Sequence, residues 1–142
     1  MAYRHASGYQ RLDSCSLVAC ADIVPENAEA FAEHHGLDAV YEDHEVMLEE
    51  AEPDIVSVCV PPAIHAGLVV DSASAPSVDA VHCEKPMATA WEDCKRMVDV
   101  CDREGVQLTI DHQRRLAEPV LRAKELLDDG KSASSNAWSG PR

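Results

Sequence analysis

The chain has 142 residues, with 26 acidic against 12 basic side chains and a formal charge of -14; it is long enough for one domain with a real core and short for two. The acidic balance disfavours a nucleic-acid partner, which needs its phosphates neutralised, and suits either an acidic surface adapted to a salty cytoplasm or plain solubility. No apolar run approaches a membrane span and no signal-peptide core follows Met1, so a soluble, cytoplasmic protein is expected.

In chain order, strand-like and helix-like segments alternate. LVACAD (17–22) is a short apolar run. PENAEAFAEHHG follows, with Pro25 suited to a first helical turn and Gly36 to a C-cap. A short strand around DAVYED leads to an acidic helix near HEVMLEEAE. DIVSVCVPP (54–62) is the strongest strand, apolar on both faces until its prolines, and such a strand belongs inside a parallel sheet. A helix through AIHAGLVVDSASA, the strand DAVHCE, a helix in TAWEDCKRMVDVCDREG and a strand near VQLTI continue the rhythm. In that last helix Trp91, Cys94, Val98 and Cys101 recur at spacings of three and four and predict one core-facing stripe. Leu116, Val120, Ala123 and Leu127 mark a final helix, and the tail KSASSNAWSGPR is expected to be disordered. The fold class is α/β, a doubly wound parallel sheet of Rossmann type.

Six cysteines occur without any C-x-x-C, several inside apolar runs, and read as buried thiols rather than disulfides or metal ligands. His82-Cys83-Glu84 matches the H-x-E of zinc deaminases, but the P-C-x-x-C that completes such a site is missing, so no metal is expected.

Ligands of open α/β sheets bind beyond the carboxyl ends of the strands, and three such ends break the apolar pattern. Asp22 closes LVACAD. A carboxylate there either accepts hydrogen bonds from both hydroxyls of an adenosine ribose, repelling a 2'-phosphate, or caps the next helix. After DIVSVCV, Pro61 and Pro62 form a donor-poor ledge and His65 starts a helix, where capping or packing competes with catalysis. VDAVHCEKPMA (78–88) ends in Glu84, Lys85 and Pro86. Strand alternation sends Glu84 and Lys85 to opposite faces, so they are not expected to pair, and Pro86 biases Lys85 toward extended backbone. A cation held at that mouth can hydrogen-bond a substrate or ribose hydroxyl and favour its proton loss as a hydride leaves; the bland alternative is a solvated surface lysine.

The succession LVACAD, DIVSVCVPPAIHA, VHCEKPMA and DHQRRLAEP resembles the nicotinamide-dependent oxidoreductases of the Gfo/Idh/MocA family, which includes glucose-fructose oxidoreductase and inositol dehydrogenase. The likeness runs from about Tyr3 to Gly130, and E-K-P is its most specific motif. The resemblance implies NAD as cofactor, NADP less so, with Asp22 on the adenosine ribose and Pro61, Pro62 and His65 lining the dinucleotide. It implies Lys85 as the catalytic residue, placed with Glu84 and Pro86 beside the nicotinamide and substrate. His112, Arg114 and Arg115 fall in a segment that enters the active-site region, with Asp111 where asparagine is common and Leu116 where phenylalanine is common. Family members are often homo-oligomeric and act on sugars or polyols.

The same resemblance implies parts not found here. The family opens with a strand and a G-x-G-x-x-G turn whose amides bind the pyrophosphate, with the ribose acid about 20 residues on. Counting back from Asp22 by that interval reaches Ala2, so Met1-Ala2-Tyr3-Arg4-His5 reads as the opening turn of the first helix. The expected organisation is an N-terminally truncated dinucleotide-binding domain over 1–115, then a linker helix and tail over 116–142, with the C-terminal substrate domain absent. Without the first strand, LVACAD and DIVSVCVPP lose their shared partner and either pair directly or leave the sheet split. Two functions stay open: an oxidoreductase acting in its full form on sugar or cyclitol hydroxyls, and a non-catalytic remnant or weak nucleotide-binding module.

Overall fold

The computed structural model describes residues 1–130; the tail KSASSNAWSGPR lies outside them. The chain forms two compact units, divided between Asp111 and His112 rather than at the 115/116 boundary expected from the sequence. The last strand ends at Ile110, and Asp111 N donates to Cys83 O at 2.8 Å as a final backbone tie to the sheet.

The first unit opens with helix α1, Ala2–Tyr9, where the sequence places a first helical turn. The alternation then runs β1 (Ala19–Ala21), α2 (Pro25–His35), β2 (Ala39–Tyr41), α3 (His44–Ala51), β3 (Ile55–Val58), α4 (His65–Ser74), β4 (Ala80–Cys83), α5 (Trp91–Glu104) and β5 (Gln107–Ile110). Local chemistry sets most of these bounds. Pro25 stands in the first turn of α2, and Gly36 ends that helix at φ 72°, in the left-handed region that glycine tolerates, with Leu37 N closing onto Ala32 O. Asp43 accepts from Glu45 N at 2.7 Å at the start of α3, and Gly105 ends α5 at φ 74°.

All strand pairs are parallel, but the sheet is in two pieces: β1 pairs only with β2, and β3, β4 and β5 form a second sheet in that order. Of the two outcomes open from the sequence, direct pairing of β1 with β3 is the one the structure discards. Between their free edges lies a cavity of about 570 Å³, bounded by β1, β3, α1 and parts of α2, α3 and α4. The doubly wound pattern is kept while its centre is open.

Two expectations need correcting. DIVSVCVPP is not buried on both faces: β3 is an edge strand in which Val56 and Val58 are buried while Ile55 and Ser57 are exposed. Val56 and Val58 face the core shared with α4 and α5, while Ile55 and Ser57 face the other way and border the cavity. In α5 the inward stripe is Met97, Val100 and Cys101, whereas Trp91 is 76 % exposed and Val98 also faces outward. Both stripes keep helical spacing and share Cys101. They differ by one residue, about 100° of rotation, and the sheet beneath selects between them.

The core is built from β3 and β4 against α4 and α5, with Val69, Val81, Cys83 and Met97 fully buried and Leu48 of α3 added at its margin. Each such aliphatic side chain contributes about 1.5–3 kcal/mol of burial. This packing fixes the carboxyl ends of β3 and β4, where the candidate site lies.

The second unit starts with a short 3-10 turn, Gln113–Leu116, and helix α6, Glu118–Asp128. Leu116, Val120, Leu121 and Leu127 of this unit are exposed, so the stripe expected on the final helix is present but not buried. No helix among the described residues is long and apolar enough to cross a membrane.

Candidate functional site

Chain reversal at the ends of β1, β3 and β4 places the sequence-selected residues. Asp22 follows β1 directly; its Oδ1 accepts from Val24 N at 2.9 Å, making a small turn ahead of α2. The residue at the N-cap position is Val24, so Asp22 does not cap the helix in the usual way. Its Oδ2 has no partner among the described residues and Asp22 borders the inter-sheet cavity, so this oxygen is available to a ligand hydroxyl.

Pro61, extended at φ -61° and ψ 141°, leads into a 3-10 turn, Pro62–Ile64, and then into α4. His65, the first residue of α4, is fully buried. Its Nε2 lies 2.9 Å from Val60 O, and its Nδ1 lies 2.9 Å from Pro86 O and 3.3 Å from Met87 O. The imidazole thus ties the ledge after β3 to the turn after β4 and presents neither ring nitrogen to a ligand. This is the packing alternative for His65, realised by contacts between residues distant in sequence.

Past β4, Glu84 is 4 % exposed and Lys85 is exposed. Glu84 Oε2 accepts from Lys85 N at 3.0 Å and stands 3.8 Å from Lys85 Nζ. The two side chains therefore approach one another, against the expectation from strand alternation. The strand ends at Cys83, ahead of this pair, and the period of two no longer applies. What results is an exposed cation above a buried carboxylate. His112, Arg114 and Arg115 are exposed and belong to the second unit, His112 immediately before the 3-10 turn and the two arginines within it.

The sequence reading missed a cluster beside Glu84. Ser57 and His82 are register partners on β3 and β4, on the face opposite Val58 and Cys83, and α1 reaches them through His5 and Tyr9. His5 Nδ1 lies 2.7 Å from Ser57 Oγ, and His82 Nδ1 lies 2.8 Å from Tyr9 OH. The two imidazoles stack at 4.5 Å. His5 Nε2 is 3.5 Å from Glu84 Oε1 and 3.4 Å from Asp111 Oδ2. Burial, reinforced by the neighbouring His5, lowers the pKa of His82, and burial raises those of Tyr9 and Cys59. The available signal was His82 itself, a polar ring on a strand otherwise made of Ala, Val and Cys.

Comparison with known proteins accords with this architecture. Residues 1–112 match the GFO_IDH_MocA family, described as an oxidoreductase family with an NAD-binding Rossmann fold. D-glucoside 3-dehydrogenase of Escherichia coli is 33% identical over 126 residues, covering 89% of this chain and 35% of that protein. Myo-inositol 2-dehydrogenase of Thermotoga maritima is 28% identical over 126 residues, covering 89% of this chain and 37% of that one. Among solved structures, the WlbA dehydrogenase from Bordetella pertussis, in complex with NADH and UDP-GlcNAcA, is similar with a TM-score of 0.85 and 31% identity, covering 91% of this chain and 39% of that one. The chain thus spans about a third of the length of the curated relatives it matches.

Proposed function

The chain belongs to the Gfo/Idh/MocA family of NAD-binding oxidoreductases, and on that premise we propose that it is the nucleotide-binding part of an enzyme that oxidises a sugar or cyclitol hydroxyl. The observation that carries the reading is the pair at the end of β4: an exposed Lys85 ammonium 3.8 Å from the Oε2 of a buried Glu84. The free Oδ2 of Asp22 fits a ribose hydroxyl, and Pro61, Pro62 and Pro86, at the ends of β3 and β4, offer apolar surface to the dinucleotide. Among the described residues no glycine-rich turn offers amides to a pyrophosphate. When bound, the dinucleotide supplies the hydride acceptor. Lys85 donates a hydrogen bond to the reacting hydroxyl oxygen and favours loss of its proton. Glu84 orients Lys85 through the main-chain bond and the ion pair, and His65 holds the two ledges at a fixed spacing. His112, Arg114 and Arg115 contribute to substrate binding, and in its complete form the enzyme is a cytoplasmic homo-oligomer.

Asp22 favours NAD over NADP, because a carboxylate beside a 2'-phosphate puts two like charges in a partly desolvated cleft. Calorimetric titration with both cofactors tests this, and equal affinity overturns it. In a form of the protein carrying a substrate domain, Lys85→Ala should lower kcat by about 10²–10⁴, the usual weight of a positioned proton-transfer group. The open centre of the sheet favours a second reading, a weak nucleotide-binding module without turnover of its own. Polyol oxidation by the 142-residue chain, abolished by Lys85→Ala, would exclude that reading.

A further inference from the structure

The cluster under α1 has the makings of a cation site that shares Glu84 with the proposed function, through the carboxylate oxygen not paired with Lys85. Ligand atoms of His5, His82 and Asp111 lie within 4.8 Å of one another, and Glu84 Oε1 stands 3.5 Å from His5 Nε2. His5 Nε2 and Glu84 Oε1 are both buried without a hydrogen-bond partner. Buried polar atoms are rarely left in that state. A proton on His5 Nε2 does not satisfy them, since an N–H···O bond spans roughly 2.7–3.2 Å and these contacts are 3.4 and 3.5 Å. Two ligands on one tetrahedral zinc, each about 2.0–2.2 Å from the metal, stand about 3.4 Å apart. The spacing around His5 Nε2 is that of ligands sharing a cation.

The surroundings agree. In metal-binding histidines the second ring nitrogen is held by another group, which fixes the tautomer and aims the first. Here Ser57 Oγ holds Nδ1 of His5 and Tyr9 OH holds Nδ1 of His82, leaving Nε2 of each ring free to bind. The inter-sheet cavity, which His5, Tyr9 and Ser57 border, provides the way in. Two imidazoles with carboxylates suit zinc or cobalt rather than magnesium. The other grouping, His44, Glu45 and Asp71, is more open to solvent, and its His44 Nε2 already contacts Asp71 Oδ2 at 3.2 Å.

We propose that His5, His82 and Asp111, with Glu84 as the fourth group, bind one zinc-class divalent cation that staples α1 to the carboxyl ends of β4 and β5. Cobalt(II) is the probe. Titration of the 142-residue chain should reach saturation at one equivalent with the visible bands of a four-coordinate ion and no thiolate charge-transfer band. His5→Gln and His82→Gln should each weaken binding roughly tenfold or more, the scale seen even when only a supporting group is lost. His44→Gln should leave it unchanged. Thiolate charge transfer, a six-coordinate spectrum, or binding indifferent to His82→Gln overturns the site. Should the variants not fold, long-range proton–nitrogen spectra of the unsubstituted chain decide: zinc(II) should shift the Nε2 resonances of His5 and His82, and rings that do not respond overturn the proposal.

Discussion

The two sheets of the first unit share strand direction and connection type yet differ in what they bury. Around β3, β4 and β5, helices α4 and α5 build a continuous core with Val69, Val81, Cys83 and Met97 out of solvent. Around β1 and β2 no strand residue is fully buried, and the enclosed side chains are small, Ala28 and Ala32 of α2, beside His35. His35 and Gln10 tie α2 to α1 through side-chain hydrogen bonds instead. The difference teaches that a parallel strand's burial is set by its neighbours. With β1 and β3 both open to the cavity, the half with three strands and two packed helices holds the stability.

The largest expected effect comes from breaking the better half. Met97→Ala should cost about 2–5 kcal/mol, the range for emptying a buried methionine site, read as a lower denaturation midpoint. A cost under about 1 kcal/mol would place the main core elsewhere.

Next is the attempt to erase the difference. An apolar strand with a glycine-rich turn, fused ahead of Met1, should enter between β1 and β3 and pair with both. Exchange of the amides facing the cavity should slow by about two- to twelvefold, since one added hydrogen bond contributes roughly 0.5–1.5 kcal/mol. Dinucleotide affinity should rise with it. Unchanged exchange in β1 with slowing in β3 alone would mean that the two edges do not face a common partner.

The two glycine caps come next. Neither Gly36 nor Gly105 has an atom within 4 Å of an added Cβ, so substitution by Ala costs only the left-handed backbone, about 1–2 kcal/mol. Gly105→Ala should lower the global transition. Gly36→Ala should act mainly on local exchange in α2 and β2, because that half opens more readily. Equal effects on the global transition would show the two halves to be one cooperative unit.

The last effect is on pH dependence. Burial pushes the Cys83 thiol up to about 12 from 9.0. Between those values the unfolded chain has released a proton that the folded chain retains, so stability falls as pH rises through that window. Cys83→Ala should remove the Cys83 share of this alkaline limb, leaving the part that the raised Tyr9 and Cys59 contribute. His82 and His35 act in the opposite sense: their folded pKa values are lowered from 6.5, so their contribution is complete above that pH and declines on acidification. His35→Gln should soften acid loss in the two-stranded half, followed by exchange in α2.

Much of the fold was legible because its rules are local. Pro25 and Gly36 set helix ends through backbone constraints within one turn, and the apolar runs of β1, β3, β4 and β5 marked strands in the right order. Asp22 and Lys85 stood out for the same reason, as charges ending apolar runs. Tertiary structure decided what depends on distant neighbours. It chose Met97 over Trp91 on α5, because helical spacing allows two stripes and only the sheet beneath distinguishes them. It buried His65 between the carbonyls of Val60 and Pro86, and turned Glu84 toward both Lys85 and His5. It also brought His5, His82 and Asp111 together from a helix, a strand and a strand end, a convergence no periodicity encodes because spacing along a chain does not specify which faces meet.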